Sequence, residues 1–377
     1  LKAALEELWS IDRIVKNFTD HGVGHTERVI GNLWAIYEQR STRMHRLAPE
    51  EIFILIAAGY LHDIGMQCTN QTVFRRVKAR VSSAIPSEYT VGEQLEIRRK
   101  HSELSAEMIQ FAFQTSDKAW TRTDHVNSIK RIDSGFIDPI MDVVRFHSRA
   151  DVLQCPEFCL GNKRRRMLAM LLRLADEMDI AKDRVSIDEV TLYPKPLQSE
   201  YWWWVHYHTT LVEVRDNRII FYLRMNKKDR RHSDILQRSI VDSFVSKNKE
   251  LIDRLSQYGI PLLCASDVKW EFGSNVASLR KDVLEMIKSE AQEYVRNLVG
   301  QYERDFHWIN IKHAWLLKHF RNKFVAVLNS KVVGYNASLG DLQRNLKLTC
   351  PNHGDAAIAF IQPVRPRFFF QQGGYRE

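Results

Sequence analysis

Histidine and aspartate residues recur on the apolar segments of the first half of the chain. The segment "AAGYLHDIGM", residues 57–66, is apolar until it reaches the adjacent His62 and Asp63. A lone buried histidine is most often a core residue with a hydrogen-bond partner, but burying many ionisable groups without partners is costly. A shared metal ion removes that cost, so the repetition favours a metal site. The predicted metal ligands are His25, His62, Asp63, His101, His147 and Asp176.

Imidazole nitrogens and carboxylate oxygens indicate which ions such a site would take. They suit manganese, iron, cobalt, nickel or zinc better than calcium, and we favour manganese, as one ion or two. Both oxygens of a carboxylate can bridge two metals. With His25, His62, Asp63 and Asp176 around one ion, His101 and His147 are available for a second. Two ions about 3.5–4 Å apart would activate a bridging water and neutralise phosphate oxygens during in-line displacement.

Other polar residues near these ligands have weaker patterns. Asp20 and His21 precede the first ligand, where they could orient it or donate a proton, although Asp20 could equally cap a helix. Arg98 and Lys100 could bind a phosphate or simply face water, and Arg184 is a similar candidate. The triple tryptophan of residues 202–204 could stack on bases, but in a predicted strand we favour core packing for it.

The elements that position these residues are predicted to be helices up to about residue 185. Five segments have helical apolar periodicity, and the segment "EEIFILIAAGYLHDIG" is apolar on all sides and ends at Gly65. From residue 186, β-branched and aromatic runs predict strands, with a hairpin turn at Asp216-Asn217. A helix is predicted from Ser233 to just before Gly259, then a strand at "DVKWEF". The interpretation is three regions, 1–185, 186–276 and 277–377.

Charge and composition bound the function further. The net charge is +9, and residues 306–377 hold ten basic side chains against three acidic ones, which suggests either a polyanionic partner or a solvated basic face. The five scattered cysteines indicate a reducing compartment. Without a long apolar window or a signal-peptide pattern, we expect a cytoplasmic protein with no membrane contact. The chain begins at Leu1, so residues could be missing upstream.

The motifs "DHGVGHTERV", "YLHDIGM", "RRKHSELSAEMI", "VRFHS" and "LRLADEMDI", in this order, resemble the HD-domain metal-dependent phosphohydrolases. The resemblance runs from about residue 21 to residue 180. The HGxxH first box is most similar to a prokaryotic subgroup in which an α+β segment follows the helical core. The fold implied is mainly α: an HD-type helical bundle, an α+β appendage and a basic tail to which the sequence assigns no fold.

The resemblance also implies roles for individual residues. His25, His62, Asp63 and Asp176 match the basic metal-binding set of the family, with Asp63 as the bridging carboxylate. His101 and His147 match the extra ligands of the binuclear branch. We therefore predict Asp63, His101 and His21 as catalytic residues, and Arg98 and Lys100 as residues that bind the substrate. Met66 and Ser148 depart from the cyclic-dinucleotide branch, which argues against that substrate.

Three functions stay open at this point. The first is a phosphohydrolase, either a phosphomonoesterase or a phosphodiesterase, that cleaves a nucleotide phosphoester. The second is a metal-dependent nuclease on single-stranded DNA or RNA, with the basic C-terminal region binding the nucleic acid. The third is a non-catalytic nucleotide sensor or scaffold. The resemblance further suggests a heat-shock-type ATPase as a partner, and an oligomer is compatible with the sequence.

Overall fold

The computed structural model describes two compact units, residues 1–233 with 240–283 and residues 234–239 with 284–377. Beyond isolated positions near the N-terminus and around residues 129 and 304–309, the described ranges are 21–40, 46–83, 85–114, 132–148, 152–157, 164–180, 184–185, 197–279, 281–289, 311–328, 330–349, 357–361 and 367–369. The predicted boundary at residue 185 adjoins residues 186–196, which lie outside these ranges, as do Asp20 and the segment "SIDEVTLY".

The first unit is built mainly from helices, as predicted. Its described α-helices before the first strand are α1 (Val23–Glu38), α2 (Pro49–Leu61), α3 (Gln71–Arg76), α4 (Val91–Arg99), α5 (His101–Gln114), α6 (Ser134–Phe146), α7 (Arg165–Glu177) and α8 (Leu197–His208). The apolar stripe of α1 (Val29, Leu33 and Ile36) is buried, because helical periodicity places these residues on one face. Helices α1, α2, α6 and α7 pack on one another and form the core.

A buried ion pair fixes the N-terminus of α2 against that of α7. The guanidinium of Arg164 donates to both carboxylate oxygens of Glu51, with Nε 3.0 Å and Nη2 2.7 Å away. The backbone N–H of Ala48 donates to the same carboxylate at 2.9 Å. Bidentate pairs of this kind fix geometry as well as adding energy. Both helices therefore enter the core in a defined register, and both carry predicted metal ligands at their other ends.

Helix α2 is followed directly by a 3-10 turn, Ile64–Gln67, that lies against α5. Gly65, within this turn, is in van der Waals contact with the first turn of α5. A Cβ atom on Gly65 would lie 2.2 Å from the carbonyl oxygen of His101 and 2.7 Å from the amide nitrogen of Ser105. The helix does end before Gly65, but glycine is required here for close approach and not for a left-handed cap.

The prediction that the triple tryptophan lies in a strand was wrong. Residues Leu197–His208 form α8, which packs against the two strands that follow it. Trp203 and Trp204 are 4% and 1% exposed, whereas Trp202 is 41% exposed. From Tyr201 to His208 every residue except Trp202 is buried, and this packing outweighs the β propensity of the aromatic residues, because tertiary contacts decide such segments.

The α+β appendage follows α8 and has the predicted hairpin. Strand β1 (Thr209–Arg215) pairs antiparallel with β2 (Arg218–Asn226), and β3 (Leu263–Gly273) pairs parallel with β2. Asp216 and Asn217 have φ angles of 50° and 61°, as a tight hairpin turn requires. The predicted helix between β2 and β3 is divided into α9 (Ser233–Gln237), a π-helical segment (Arg238–Asp242) and α10 (Ser243–Gln257).

The second unit contains a four-stranded antiparallel sheet in the order β5-β4-β6-β7. Its elements are α11 (His313–Phe320), β4 (Lys323–Leu328), β5 (Lys331–Asn336), α12 (Leu339–Thr349), β6 (Ala357–Ile361) and β7 (Arg367–Phe369). The sequence pattern of "INIKHAWLLKHFRNKFVAVLNS" predicts a helix, but the helix ends at Phe320, and Val325 and Val327 after it are buried on a strand beside Ala359 and Ile361. Among the described helices of the chain, none has the length and apolar character that crossing a membrane requires.

Candidate metal centre

Four of the predicted ligands meet at one point of the first unit. Nε2 of His25 lies 3.1 Å from Nε2 of His62, 3.3 Å from Oδ2 of Asp63 and 3.3 Å from Oδ1 of Asp176. Nε2 of His62 lies 3.4 Å and 3.8 Å from the same two oxygens. Donor atoms that share a metal at about 2.1 Å are separated by about 2.9–3.4 Å, so these spacings suit one divalent ion.

The other two predicted ligands lie on the opposite side of Asp63. Nε2 of His101 is 3.4 Å, and Nε2 of His147 is 4.0 Å, from Oδ1 of Asp63. The two imidazole nitrogens are 3.2 Å apart. The carboxylate of Asp63 therefore directs one oxygen toward each pair of histidines. This arrangement can hold a second ion beside the first.

The ends of five helices supply these donors. The donors on α1 and α5 belong to the first turn, and those associated with α2, α6 and α7 stand at or just beyond the C-terminus. In chain order the donors are His25, His62, Asp63, His101, His147 and Asp176. The hydroxyl of Ser105 joins two of these ends, because it donates to the carbonyl of His62 at 2.6 Å and accepts from the amide of Gly65 at 2.8 Å.

Hydrogen bonds from Nδ1 fix the orientation and the tautomer of the imidazole rings of His25 and His62. Nδ1 of His62 donates to the carbonyl of Gly59 at 2.7 Å, and Nδ1 of His25 donates to the carboxylate of Asp179 at 2.6 Å. With Nδ1 protonated, the neutral form of each ring has its lone pair on Nε2. Two lone pairs 3.1 Å apart repel each other unless a proton or a metal ion lies between them. The donors therefore fit a metal ion.

The second pair of imidazoles repeats this arrangement. Nδ1 of His101 donates to the carbonyl of Arg98 at 2.6 Å, and Nδ1 of His147 donates to the carbonyl of Val144 at 2.5 Å. The two Nε2 atoms again face each other. Each histidine thus has the outer-nitrogen hydrogen bond that is usual for metal-ligating imidazoles.

Asp179 is a buried member of the cluster that the sequence interpretation missed. Its carboxylate accepts the hydrogen bond from His25, a second at 2.7 Å from Nε of Arg28, and lies 3.8 Å from Nε of Arg184. A signal was present in "LADEMDI", since Asp179 stands three residues after Asp176 and so lies near it at the end of α7. Asp179 fixes the imidazole of His25 and compensates two guanidinium charges.

His21 contacts the cluster from its solvent side. Its Nδ1 lies 2.8 Å from Oδ2 of Asp63, and Nη2 of Arg184 lies 3.2 Å from the same nitrogen. Burial, together with the charge of Arg184, lowers the pKa of His21 to about 4. The ring is therefore neutral at pH 7 and donates to Asp63 from Nδ1.

Without an ion, the four donors around His25 exist as charged partners. Burial opposes their ionisation, but the coulombic attraction of His62 for Asp63 prevails and holds the pKa of that carboxyl well below its usual range. The pKa of Asp176 is lowered in the same way by hydrogen bonds from His25 and His62. Burial also works against protonation of His25, but its bonds to three carboxylates raise its pKa to about 9.

We expect metal affinity to increase with pH and metal loading to release protons. A metal needs neutral imidazoles, and His25 remains protonated until the pH approaches about 9. Each displaced proton should raise the apparent affinity about tenfold per pH unit below that value. Titration calorimetry of the metal-free chain with Mn²⁺, in two buffers of different ionisation heat, measures the protons released. An affinity that is constant between about pH 6 and pH 8 would contradict the expectation.

A cavity of about 230 Å³ opens onto the cluster. Arg98 and Arg184 line it together with His21, whereas Lys100 does not: its ammonium donates to the carbonyl of Val77 at 2.6 Å. Burial and the charge of Arg184 lower the pKa of Arg98 to about 10, so the guanidinium stays charged at pH 7. The cavity therefore places two cations beside the candidate metal centre. Further lining residues, which the sequence interpretation did not assign to the site, are Trp202, Trp203, His206 and Lys247.

Comparison with known proteins assigns the chain to a family. The family model for HD-CE matches residues 15–251, which include all six donors, the cavity and the α+β appendage up to α10. No curated protein matches the chain.

Proposed function

The chain belongs to the HD-CE family, and from its histidine–aspartate cluster we propose that it is a metal-dependent phosphohydrolase acting on a nucleotide phosphoester. The six donors would hold one or two divalent ions, with manganese as the favoured metal. Asp63, His101 and His21 would be the catalytic residues. Arg98 would bind the phosphate. Arg184 would bind it as well, in place of Lys100, because Arg184 lines the cavity and Lys100 does not.

The position of Asp63 carries this proposal. A carboxylate that only compensated one buried imidazole would need one oxygen, whereas both oxygens of Asp63 face histidine pairs at 3.3–4.0 Å. The backbone around it is fixed through Ser105 and Gly65, so the carboxylate is oriented in advance. Preorganisation of this kind is expected where developing charge must be stabilised during reaction.

The residues around the cavity would have separate roles in the reaction. When bound, the ions would supply Lewis-acid activation of a water molecule and of the phosphate oxygens. The guanidiniums of Arg98 and Arg184 would hold the remaining phosphate oxygens and keep the phosphorus atom near the donors. His21 would fix Asp63 through Nδ1. The low pKa of His21 keeps its ring neutral at pH 7, so it would hold Asp63 by this hydrogen bond without adding a positive charge beside the donors.

The test is phosphate or nucleotide release by the metal-loaded chain. The panel contains nucleoside mono- and triphosphates, cyclic nucleotides, and single-stranded DNA and RNA, each assayed with Mn²⁺ and after chelation. We expect turnover of at least one phosphoester that chelation abolishes and Mn²⁺ restores. A metal-loaded chain that cleaves no member of the panel would contradict the proposal and favour a nucleotide sensor or scaffold.

A nuclease is the second candidate, and the second unit supplies the observation for it. The rings of Trp315, His319, Phe320 and Tyr335 form a connected series, with neighbouring centroids 4.6–6.3 Å apart, and Nζ of Lys323 lies over the ring of Tyr335. Trp315 and Tyr335 are about half exposed. Exposed cations on and after α11 are Lys318 and Arg321. Exposed aromatic rings among cations suit stacking on single-stranded bases, and cleavage of single strands in the same panel would select this candidate.

A further inference from the structure

Helix α8 forms one wall of the cavity that opens onto the metal centre. Three of its residues, Trp202, Trp203 and His206, line this cavity together with Asp63 and Asp176. Successive residues of a helix are about 100° apart, so Trp202, Trp203 and His206 lie within an arc of about 100°, and this side of α8 lines the cavity. In the predicted strand, Trp202 and Trp203 would have pointed to opposite faces.

The two indoles on this wall differ in exposure. Trp203 is 4% exposed and belongs to the core, whereas Trp202 is 41% exposed. Tyr201 supports the indole of Trp202 edge-on, with ring centroids 5.2 Å apart. An exposed tryptophan alone needs no explanation. An exposed and supported indole in the wall of a cavity that contains metal donors is a surface on which a flat ligand can stack.

The wall of this cavity has an aromatic part and a charged part. Arg98 and Arg184 line it near the donors, and Lys247, which pairs with Glu177 at 2.5 Å, lines it from α10. A ligand that fills the cavity would therefore meet cations and metal donors with an anionic part and an indole with another part. A phosphate joined to an aromatic base has this combination, whereas a phosphate joined to a sugar alone leaves the indole exposed.

We propose that Trp202 is a stacking platform that makes the site selective for phosphoesters carrying a nucleobase. The proposal rests on the proposed function for the phosphate end of the ligand. It deepens that function by assigning the base to a named residue. Base stacking on aromatic side chains is tolerant of base identity, so discrimination should be between ligands with and without a base and not between one base and another.

The experiment compares two ligands that differ by the base alone. Binding of adenosine 5′-monophosphate and of ribose 5-phosphate to the Mn²⁺-loaded full chain is measured by titration calorimetry. If either ligand is cleaved, kcat and KM are measured for both. We expect Trp202→Ala to weaken the nucleotide about tenfold, with ribose 5-phosphate changed less than about twofold, and Trp202→Phe to keep most of the affinity. Trp34→Ala, a half-exposed tryptophan on α1, is the control and should change neither.

The outcomes separate this inference from the proposed function. Wild type that binds both ligands equally or binds neither overturns the stacking role, and so does a Trp202→Ala variant that weakens both ligands alike. Selective, Trp202-dependent binding of the nucleotide supports it, whether or not the nucleotide is hydrolysed. Selective binding without hydrolysis of any phosphoester would reject the phosphohydrolase and retain Trp202 as the base platform of a nucleotide-binding site.

Discussion

Asp63→Ala should remove the bound metal and lower hydrolysis about a thousandfold or more. The substitution deletes the carboxylate whose oxygens face both histidine pairs, so neither position keeps its full set of donors. The ions of such centres contribute several kcal/mol of transition-state stabilisation, and 1.36 kcal/mol corresponds to tenfold in rate. Metal content after gel filtration, measured by mass spectrometry, and the rate on the best substrate of the panel check both parts.

Two further variants make this result specific. Glu107→Ala, which breaks an ion pair between the exposed Arg76 and a carboxylate on α5, should leave metal content and rate unchanged, because neither residue is one of the six donors. His147→Ala should lose one ion and keep the other, since it leaves the donors around His25 intact. Full metal content in Asp63→Ala, with an unchanged circular dichroism spectrum, would exclude Asp63 as a ligand.

The convergence of the six donors could be predicted from sequence because each lies in the first turn of a helix with apolar residues, or at or just beyond the C-terminal end of such a helix. A helix that buries one face must bring a polar residue on that face into the core, and several such residues can meet only if something compensates them. The periodicity of the helices and the repeated residue types were therefore enough to predict the group. Its assignment as a metal-binding set is the proposal made above.

The roles of the other residues near the donors could not be predicted from local pattern alone. The spacing of Asp179 from Asp176 indicates only that these two residues are near each other, whereas the contact of Asp179 with His25 spans 154 positions of sequence. Trp202 has a side chain that favours strands, and the packing of α8 against β1 and β2 decided its conformation. Lys100 and Arg98 are two residues apart at the end of α4, so they point to different sides, and local pattern does not show which of them lines the cavity. In each case tertiary contacts determined the outcome.

The role of Gly65 shows why local pattern was also insufficient at the turn itself. A glycine after an apolar helix is typical of a helix end, and the helix does end there. The structure adds a second requirement, because the turn that contains Gly65 lies against the first turn of α5. The position of His101 at the start of that turn depends on this contact. The stability of the fold and the geometry of the donors are therefore coupled at one residue.

Gly65→Ala should destabilise the chain by about 3 kcal/mol and weaken metal binding at His101. The added methyl would lie 2.2 Å from a backbone oxygen and 2.7 Å from a backbone nitrogen, neither of which can rotate away, so α5 must shift. Thermal unfolding and metal titration of the same variant measure the two effects. Gly31→Ala is the matched control: its methyl would meet nothing within 4 Å, and in the middle of α1 it should stabilise by up to about 1 kcal/mol. If Gly65→Ala had the same unfolding temperature and the same metal affinity as Gly31→Ala, the turn would be free to move away from α5. The close contact would then not be what holds His101 beside Asp63.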